Sequence, residues 1–295
     1  MHDNHGGHLA APSFTELWSP EIMLIAILIA VLYLAVVGSW RKQFAHSAPV
    51  SGKKKAAFLI GLLVFYLAEG SPISYYGHHF LFSAHMLQQA LLYFTMPLLI
   101  LVGTPDWLLR SLLQNKVVDN IWSFMTRPLI ALFTFNVLFS FYHMPFIFDA
   151  AMEAHWFMTV YHIVLVITAF QMWWPIISPI AEEQQMSDLR KLAYIFGNGV
   201  LITPACALII FADHLIYETY SNVPQVFSML AAFDDQRLGG IIMKTVQEIV
   251  YGSVLAYTFY KWYNKEKGTD IPELDQASQE SINILTPAIE NKGRV

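Results

Sequence analysis

The sequence predicts an all-α integral membrane protein with seven transmembrane helices, its N-terminus outside the cell and its C-terminus in the cytoplasm. Three observations lead there. Of 295 residues, 56% are hydrophobic and 13% charged, against about 25% charged in an ordinary soluble domain. A soluble fold has too little interior to hide so much apolar surface, so the bilayer serves as part of the solvent. Apolar stretches of roughly 20 residues, the length that crosses a hydrocarbon core, recur seven times. The basic residues, finally, fall into alternate loops between those stretches.

In chain order the stretches lie near 18–40, 56–75, 80–103, 128–148, 156–180, 189–212 and 239–262. Between the third and fourth, Trp107, Leu108, Leu112, Leu113, Val117, Ile121 and Trp122 recur at roughly helical spacing within 106–127. That pattern predicts a helix lying in the interface. Trp18, Trp40, Trp107, Trp156, Trp173, Trp174 and Trp262 fall near segment ends, where an amphipathic ring is best accommodated. Pro97 and Pro204 each delete a backbone hydrogen bond inside a span and predict kinks. Residues 1–16 form a histidine-rich outer tail without Lys or Arg, and the apolar segment that follows is too long for a signal peptide. The membrane domain occupies 17–263. The polar residues 264–295, with Pro and Gly scattered among them, predict a disordered cytoplasmic tail.

Orientation follows from the loops. Arg41, Lys42, Lys53, Lys54 and Lys55 lie between spans one and two; Arg110, Lys116 and Arg127 between three and four; Arg190 and Lys191 between five and six. Lys261, Lys265 and Lys267 follow span seven, and the opposite face has only Arg237. The positive-inside rule makes the basic face cytoplasmic. The formal net charge of −5 conceals this segregation. No basic tract interleaves with aromatics, which excludes nucleic acid as an expected partner. The single Cys206 excludes an internal disulfide and a Cys-x-x-Cys metal clip.

With that topology, His46 is cytoplasmic. The other ten histidines (His2, His5, His8, His78, His79, His85, His143, His155, His162 and His214) lie outside or in the outer half of the membrane. Intramembrane imidazoles are costly, so such a cluster is a functional hypothesis by default. In span five, Met152, His155, Met158 and His162 keep near one helical stripe, with His162 roughly 10 Å deeper than His155. A ladder of thioethers and imidazoles suits a soft ion such as Cu(I). On this helix alone the plainer reading weighs more: methionines filling the core and histidines hydrogen-bonded within it. Other helix ends offer His85 with Gln88 and Gln89, His143 beside Met144, Asp213 with His214, and Glu69. Lys244 and Glu248, at i and i+4, pair with each other. Lys244 is also only about one and a half turns into its helix, too shallow for a retinal-type Schiff base.

Four ordered stretches carry a resemblance: SAHMLQQALLYFTMPLLILVGTPDW (83–107), FSFYHMPFIFDAAMEAHWFMTVYHIVLVITAFQMWWP (139–175), ADHLIYETY (212–220) and DDQRLGGIIMKTVQEIVYG (234–252). Together they are similar to the CtaG family of assembly factors for caa-type cytochrome c oxidase, seven-span membrane proteins of bacteria. The resemblance implies a multi-pass protein of the plasma membrane that matures a respiratory-chain oxidase rather than catalysing a reaction. Oxidase subunits are its implied partners, and copper for the catalytic subunit its implied cargo. His85 matches the histidine of an H-M-x-Q motif and His143 that of an H-x-P motif. His155 and His162 match paired histidines of span five, and Asp235, Gln236, Gly239 and Gly240 a D-Q-x-x-G-G stretch. Gln89 departs from the pattern, since many members carry a histidine there.

The expected metal-handling set is therefore His85, His143, His155, Met158, His162 and His214, with His85, His155 and His162 lining one outer cavity. Glu69, Asp213, Asp235, Gln236, Lys244 and Glu248 are the other polar residues singled out. Three alternatives stay open. The chain is a seven-helix scaffold that acts without metal, or a membrane cytochrome with His85 and His162 as axial haem ligands. Or it is a zinc-dependent hydrolase built on His143, Asp213 and His214. A homo-oligomer is left open as well.

Overall fold

Helix starts follow local chemistry. The side chains of Ser13, Ser51, Ser71, Asn115 and Ser187 each accept a hydrogen bond from a backbone N–H in the first turn that follows. The computed structural model describes residues 12–178, 180 and 186–290, with side chains as far as residue 267. The tract of His2, His5 and His8 lies outside the described residues. Among the described residues there is no strand. The helices are α1 (Phe14–Leu17), α2 (Pro20–Val37), α3 (Gly52–Glu69), α4 (Pro72–His79), α5 (Phe82–Ala90), α6 (Met96–Gly103) and α7 (Asp106–Leu112). They continue with α8 (Lys116–Met125), α9 (Pro128–Tyr142), α10 (Pro145–Glu153), α11 (His155–Ile177), α12 (Asp188–Ile210) and α13 (Ala232–Glu290).

Five segments are long and apolar enough to cross a membrane: Pro20–Val37, Gly52–His79, Phe82–Gly103, His155–Ile177 and Asp188–Ile210. A sixth is added if α8 and α9, bent by 74° at their junction, form one broken span. The expected fourth and seventh spans are not among the five. α9 has only 15 residues, and α13 carries Lys244, Gln247 and Glu248 in its apolar stretch.

Prolines set the breaks. Met144 precedes Pro145 and is extended (φ −68°, ψ 129°), because a proline ring disfavours helical backbone in the residue before it. Hence α9 stops at Tyr142, α10 starts afresh, and His143 sits at the corner. Ser71 before Pro72 is extended for the same reason, so α3 and α4 are separate helices where the sequence suggested one span and a short loop. At Pro97 the chain widens into a π-turn over Leu91–Thr95. Pro97 has no N–H to offer the carbonyl of Tyr93, and Trp173 Nε1 donates to that carbonyl instead at 3.3 Å. Trp173 is thus a core residue, fully buried, not an interface ring. The expected interface helix is two helices, α7 and α8, split where Asn115 caps the second. Val117, Ile121 and Phe124 of α8 are exposed along one face.

The core lies between α5, α6, α9, α11, α12 and α13, around Phe82, Tyr93, Phe139, Trp173 and Ile202. α2 packs on α3 at the rim and buries only Ala26, Tyr33 and Val37. α13 runs on to Glu290, where the composition predicted disorder from residue 264. Extending an anchored helix costs far less than nucleating one.

Candidate functional site

α3 runs from Lys53, Lys54 and Lys55 to Glu69, and α11 runs from His155 to Ile177. Their histidine and lysine ends are therefore opposite ends of the bundle. At the histidine end a cavity of about 560 Å³ is lined by Glu69, His78, His79, Met152, His155, Met158 and His162, among others.

Two of these imidazoles come from the last turn of α4. His78 Nδ1 donates to the Ser74 carbonyl and His79 Nδ1 to the Tyr75 carbonyl, both at 2.8 Å. A carbonyl only accepts, so each proton is on Nδ1 and each Nε2 keeps its lone pair. Metal-binding histidines are commonly oriented in this way. The close approach of α4 to α5 needs Gly77: a Cβ there would lie 2.8 Å from the backbone nitrogen of His85. That contact brings the His78 and His85 rings to 5.6 Å between centroids. α11 presents His155, Met158 and His162 to the cavity, and the end of α10 adds Met152.

Behind the cavity lies a sealed hydrogen-bonded layer. His85 is fully buried, 5.8 Å from the His162 ring. The Tyr142 hydroxyl stands between them, 3.2 Å from His85 Nε2 and 3.0 Å from His162 Nε2. Gln89 Nε2 donates to His85 Nε2 at 2.9 Å. The phenol has a single proton, and with His85 Nε2 already served, that proton goes to His162. Gln89, the residue that departs from the family pattern, thus fixes the His85 ring.

The remaining sequence-selected residues lie elsewhere. Expectation placed His85, His155 and His162 in one cavity; His155 and His162 line it, and His85 is walled off behind Tyr142. His143 ends α9 with its ring fully buried, Nδ1 donating to the Phe139 carbonyl at 2.7 Å. His214 is exposed and hydrogen-bonds its neighbour Asp213, also exposed. That bond holds the Asp213 carboxyl below its ordinary value. Neither His143 nor His214 lines the cavity. Among the described residues no three His, Cys, Asp or Glu side chains converge on one metal position, so the zinc-hydrolase alternative has no ligand set there.

Asp235 and Gln236 tie helices together. α5 starts after Leu81, whose side chain cannot cap. Asp235 of α13 takes that part, accepting from the Ser83 N–H at 3.3 Å and from the Ser83 hydroxyl. Gln236 accepts from Ile216 N at 2.8 Å and donates to the His214 carbonyl at 3.2 Å. Gly239 lets α13 meet Phe82, 2.6 Å from where a Cβ would stand. Lys244 bonds Glu248 at 2.7 Å, Gln247 at 2.9 Å and Thr203 at 3.1 Å, so its ammonium group is fully partnered. Glu69 accepts from Gln88 at 3.3 Å at the cavity wall.

Reasoning from sequence missed His78 and His79 as site residues. The usable signal was a Ser-Pro helix start at 71–72 that places two histidines one helical turn beyond Ser74 and Tyr75.

The family model of the cytochrome c oxidase caa3 assembly factor (Caa3_CtaG) matches residues 31–265. No curated protein and no solved structure matches the chain.

Proposed function

The chain belongs to the cytochrome c oxidase caa3 assembly factor family, and on that premise we propose that it holds Cu(I) in transit for the oxidase in its histidine–methionine cavity. One observation carries this reading. A single open cavity combines imidazoles whose Nε2 lone pairs are free of backbone bonds with the thioethers of Met152 and Met158. Thioether and imidazole donors suit Cu(I). Cargo needs an exchangeable site, whereas a resident structural ion is enclosed by four protein ligands. Copper here is cargo, bound by any two or three of these donors and passed on.

The topology that serves this role has seven crossings with the cavity at the outer face of a bacterial plasma membrane. Broken α8–α9 and the apolar part of α13 supply the two crossings beyond the five long apolar helices. The segregation of lysine and arginine to the other end supports that orientation.

The test is to load the purified full chain with Cu(I) under anaerobic conditions and measure copper by elemental analysis. In parallel, a deletion strain is complemented with variants and its oxidase activity followed with and without added copper. Wild type is expected to retain copper. His78→Ala with His162→Ala is expected to lose it and to lose oxidase activity that added copper restores. His214→Ala is expected to behave as wild type. If the double variant assembles oxidase fully, the copper reading fails and the metal-free scaffold takes its place. The sealed rings of His85, bonded by Gln89, and His143, bonded to the Phe139 carbonyl, favour that second reading for those two residues.

A further inference from the structure

α12 and α13 pack along each other, and between them opens a cleft of about 250 Å³. Gly199 and Thr203 of α12 line it, with Lys244, Gln247, Glu248 and Gly252 of α13. Gly199 is the middle residue of α12 (Asp188–Ile210), one of the five long apolar helices, so the cleft lies midway through the bundle. Ionisable side chains at such depth are costly and mark a functional surface by default.

The polar groups of the cleft are only partly matched. An ammonium group only donates, so the Gln247 atom that Lys244 reaches at 2.9 Å is the amide oxygen. The amide nitrogen of this fully buried residue then faces Gly199, 3.6 Å from where a Cβ would stand. It has no hydrogen-bond partner among the described residues. Glu248 bonds Lys244, yet its side chain is 60% exposed against 25% for Lys244. The cleft thus offers an N–H that lacks an acceptor and a carboxylate turned outward.

The surface around it suits a helix. Ile241, Thr245, Glu248, Gly252, Ala256 and Phe259 recur at steps of three and four residues and are all exposed, one stripe along α13. A Cβ on Gly252 would meet nothing within 4 Å. Gly252 and Ala256, one turn apart, form the small-residue pair that lets a second helix backbone approach closely in a bilayer. The cleft is smaller than the roughly 300–1,000 Å³ of small-molecule sites and has the size of side chains reaching in from such a helix. A second copy of this chain fits poorly. A two-fold pair about the membrane normal brings equal depths together, so the two Glu248 carboxylates would face each other.

We propose that this stripe docks a transmembrane helix of an oxidase subunit, one that places a side-chain amide or hydroxyl in the cleft to accept from Gln247 and donate to Glu248. The proposal rests on the family's part in oxidase assembly and not on copper, and the cleft shares no residue with the histidine cavity.

The experiment places a photo-cross-linking amino acid at Ala256, or at the exposed Leu28 of α2 as a control, in the full chain in cells that assemble the oxidase. Adducts are identified by mass spectrometry. An oxidase subunit is expected to be captured from position 256 and not from position 28. Gly252→Leu puts its side chain into open space, so the fold should persist while capture falls about tenfold or more. Glu248→Met should lower capture about threefold, the value of one hydrogen bond between helices in a bilayer. Glu248→Gln still accepts a hydrogen bond and should restore it. Gly252→Leu should retain copper as wild type does, and the His78→Ala, His162→Ala pair should keep the capture, so each reading can fail without the other. Capture of a second copy from position 256 would overturn the proposal. So would no capture there, full capture by Gly252→Leu, or loss of capture in the histidine pair.

Discussion

Replacing Tyr142 by Phe removes one oxygen atom from the layer behind the histidine cavity, and its consequence can be worked out bond by bond. The hydroxyl is fully buried; it donates to His162 Nε2 at 3.0 Å and lies 3.2 Å from His85 Nε2 without a proton to give it. His85 keeps its bond from Gln89 at 2.9 Å, so little is lost on that side. His162 loses the donor to its Nε2. A net hydrogen bond contributes about 1 kcal/mol, and a stranded buried acceptor costs about 1–3 kcal/mol. His162 lines the cavity, where water can replace the phenol, so the lower part of that range applies and the total is about 1–2 kcal/mol. For a chain of this size that corresponds to a fall in melting temperature of about 2–8 °C.

The assay is a thermal double-mutant cycle in detergent with Tyr142→Phe, His162→Ala and the pair. If the phenol proton serves His162, the two changes couple by about 1 kcal/mol. Additive losses would refute that hydrogen bond and the proton assignment built on it. A second readout is the rate at which His162 reacts with an imidazole-modifying reagent: released from Tyr142, its Nε2 should react faster than in wild type, while His143, sealed elsewhere, should not change.

Gly77→Ala forces a Cβ to 2.8 Å from the His85 backbone nitrogen, where no flexible side chain can yield; α4 must shift, with a loss of about 1–3 kcal/mol in stability and of copper retention, and unchanged retention would show that the α4–α5 contact does not position His78. Asp235→Ala removes the only side-chain cap seen for α5 among the described residues and should cost about 1–2 kcal/mol, with faster hydrogen exchange at Ser83; unaltered exchange there would refute the capping role. Gln89→His should leave copper stoichiometry unchanged, because residue 89 is fully buried behind the cavity; a gain of one copper per chain would place a metal site in the sealed layer instead. Asp213 has a carboxyl held low by its hydrogen bond from His214, so its contribution is present above the unfolded value and lost as pH falls through the lowered one. Proteolysis of the loop after α12 should accordingly stay flat on acidification until pH drops below the ordinary carboxylate value of 3.8, and a step near neutrality would assign the loop's stability to another group.

What the sequence made legible was set by averages over many residues. An all-helical membrane chain follows from composition, and the segregation of histidines from lysines is visible in the loop residues alone. Details decided by single prolines were less accessible. Pro145 stopped α9 six residues before the expected end of its span at 148, and Pro72 turned a presumed loop into α4 with its two histidines. Both effects act on the residue before proline and are local rules, but apolar periodicity runs straight across them. The stripe Met152, His155, Met158, His162 was legible because 3.6 residues per turn fixes which side chains share a face. Convergence between helices was not: nothing in the chain order says that the Tyr142 hydroxyl comes within about 3 Å of both His85 and His162.

The motif residues matched to the family (His85, His143, His155, His162, Asp235, Gln236, Gly239 and Gly240) and the residues that line the cavity overlap only on α11, and this separates two kinds of defect. His143 and Tyr142 turn the corner out of α9, Asp235 caps α5, Gln236 straps the loop at 214–216, and Gly239 lets α13 reach Phe82. These residues form a frame whose substitution removes helix-end bonds or close contacts inside the core. Their loss should lower the amount of folded protein, and oxidase activity should fall in proportion to it. His78, His79, Met152 and His155 hang on that frame at a cavity wall already reached by solvent, so replacing them strands few buried groups; Met158, which also lines the cavity, is buried in the core and belongs to neither set. Their loss should leave the amount of folded protein near wild type whatever happens to activity. A plot of oxidase activity against folded protein for both sets is therefore the sharpest discriminator between cargo handling and scaffolding. Under cargo handling the cavity variants fall well below the line drawn by the frame variants; under scaffolding all of them lie on it.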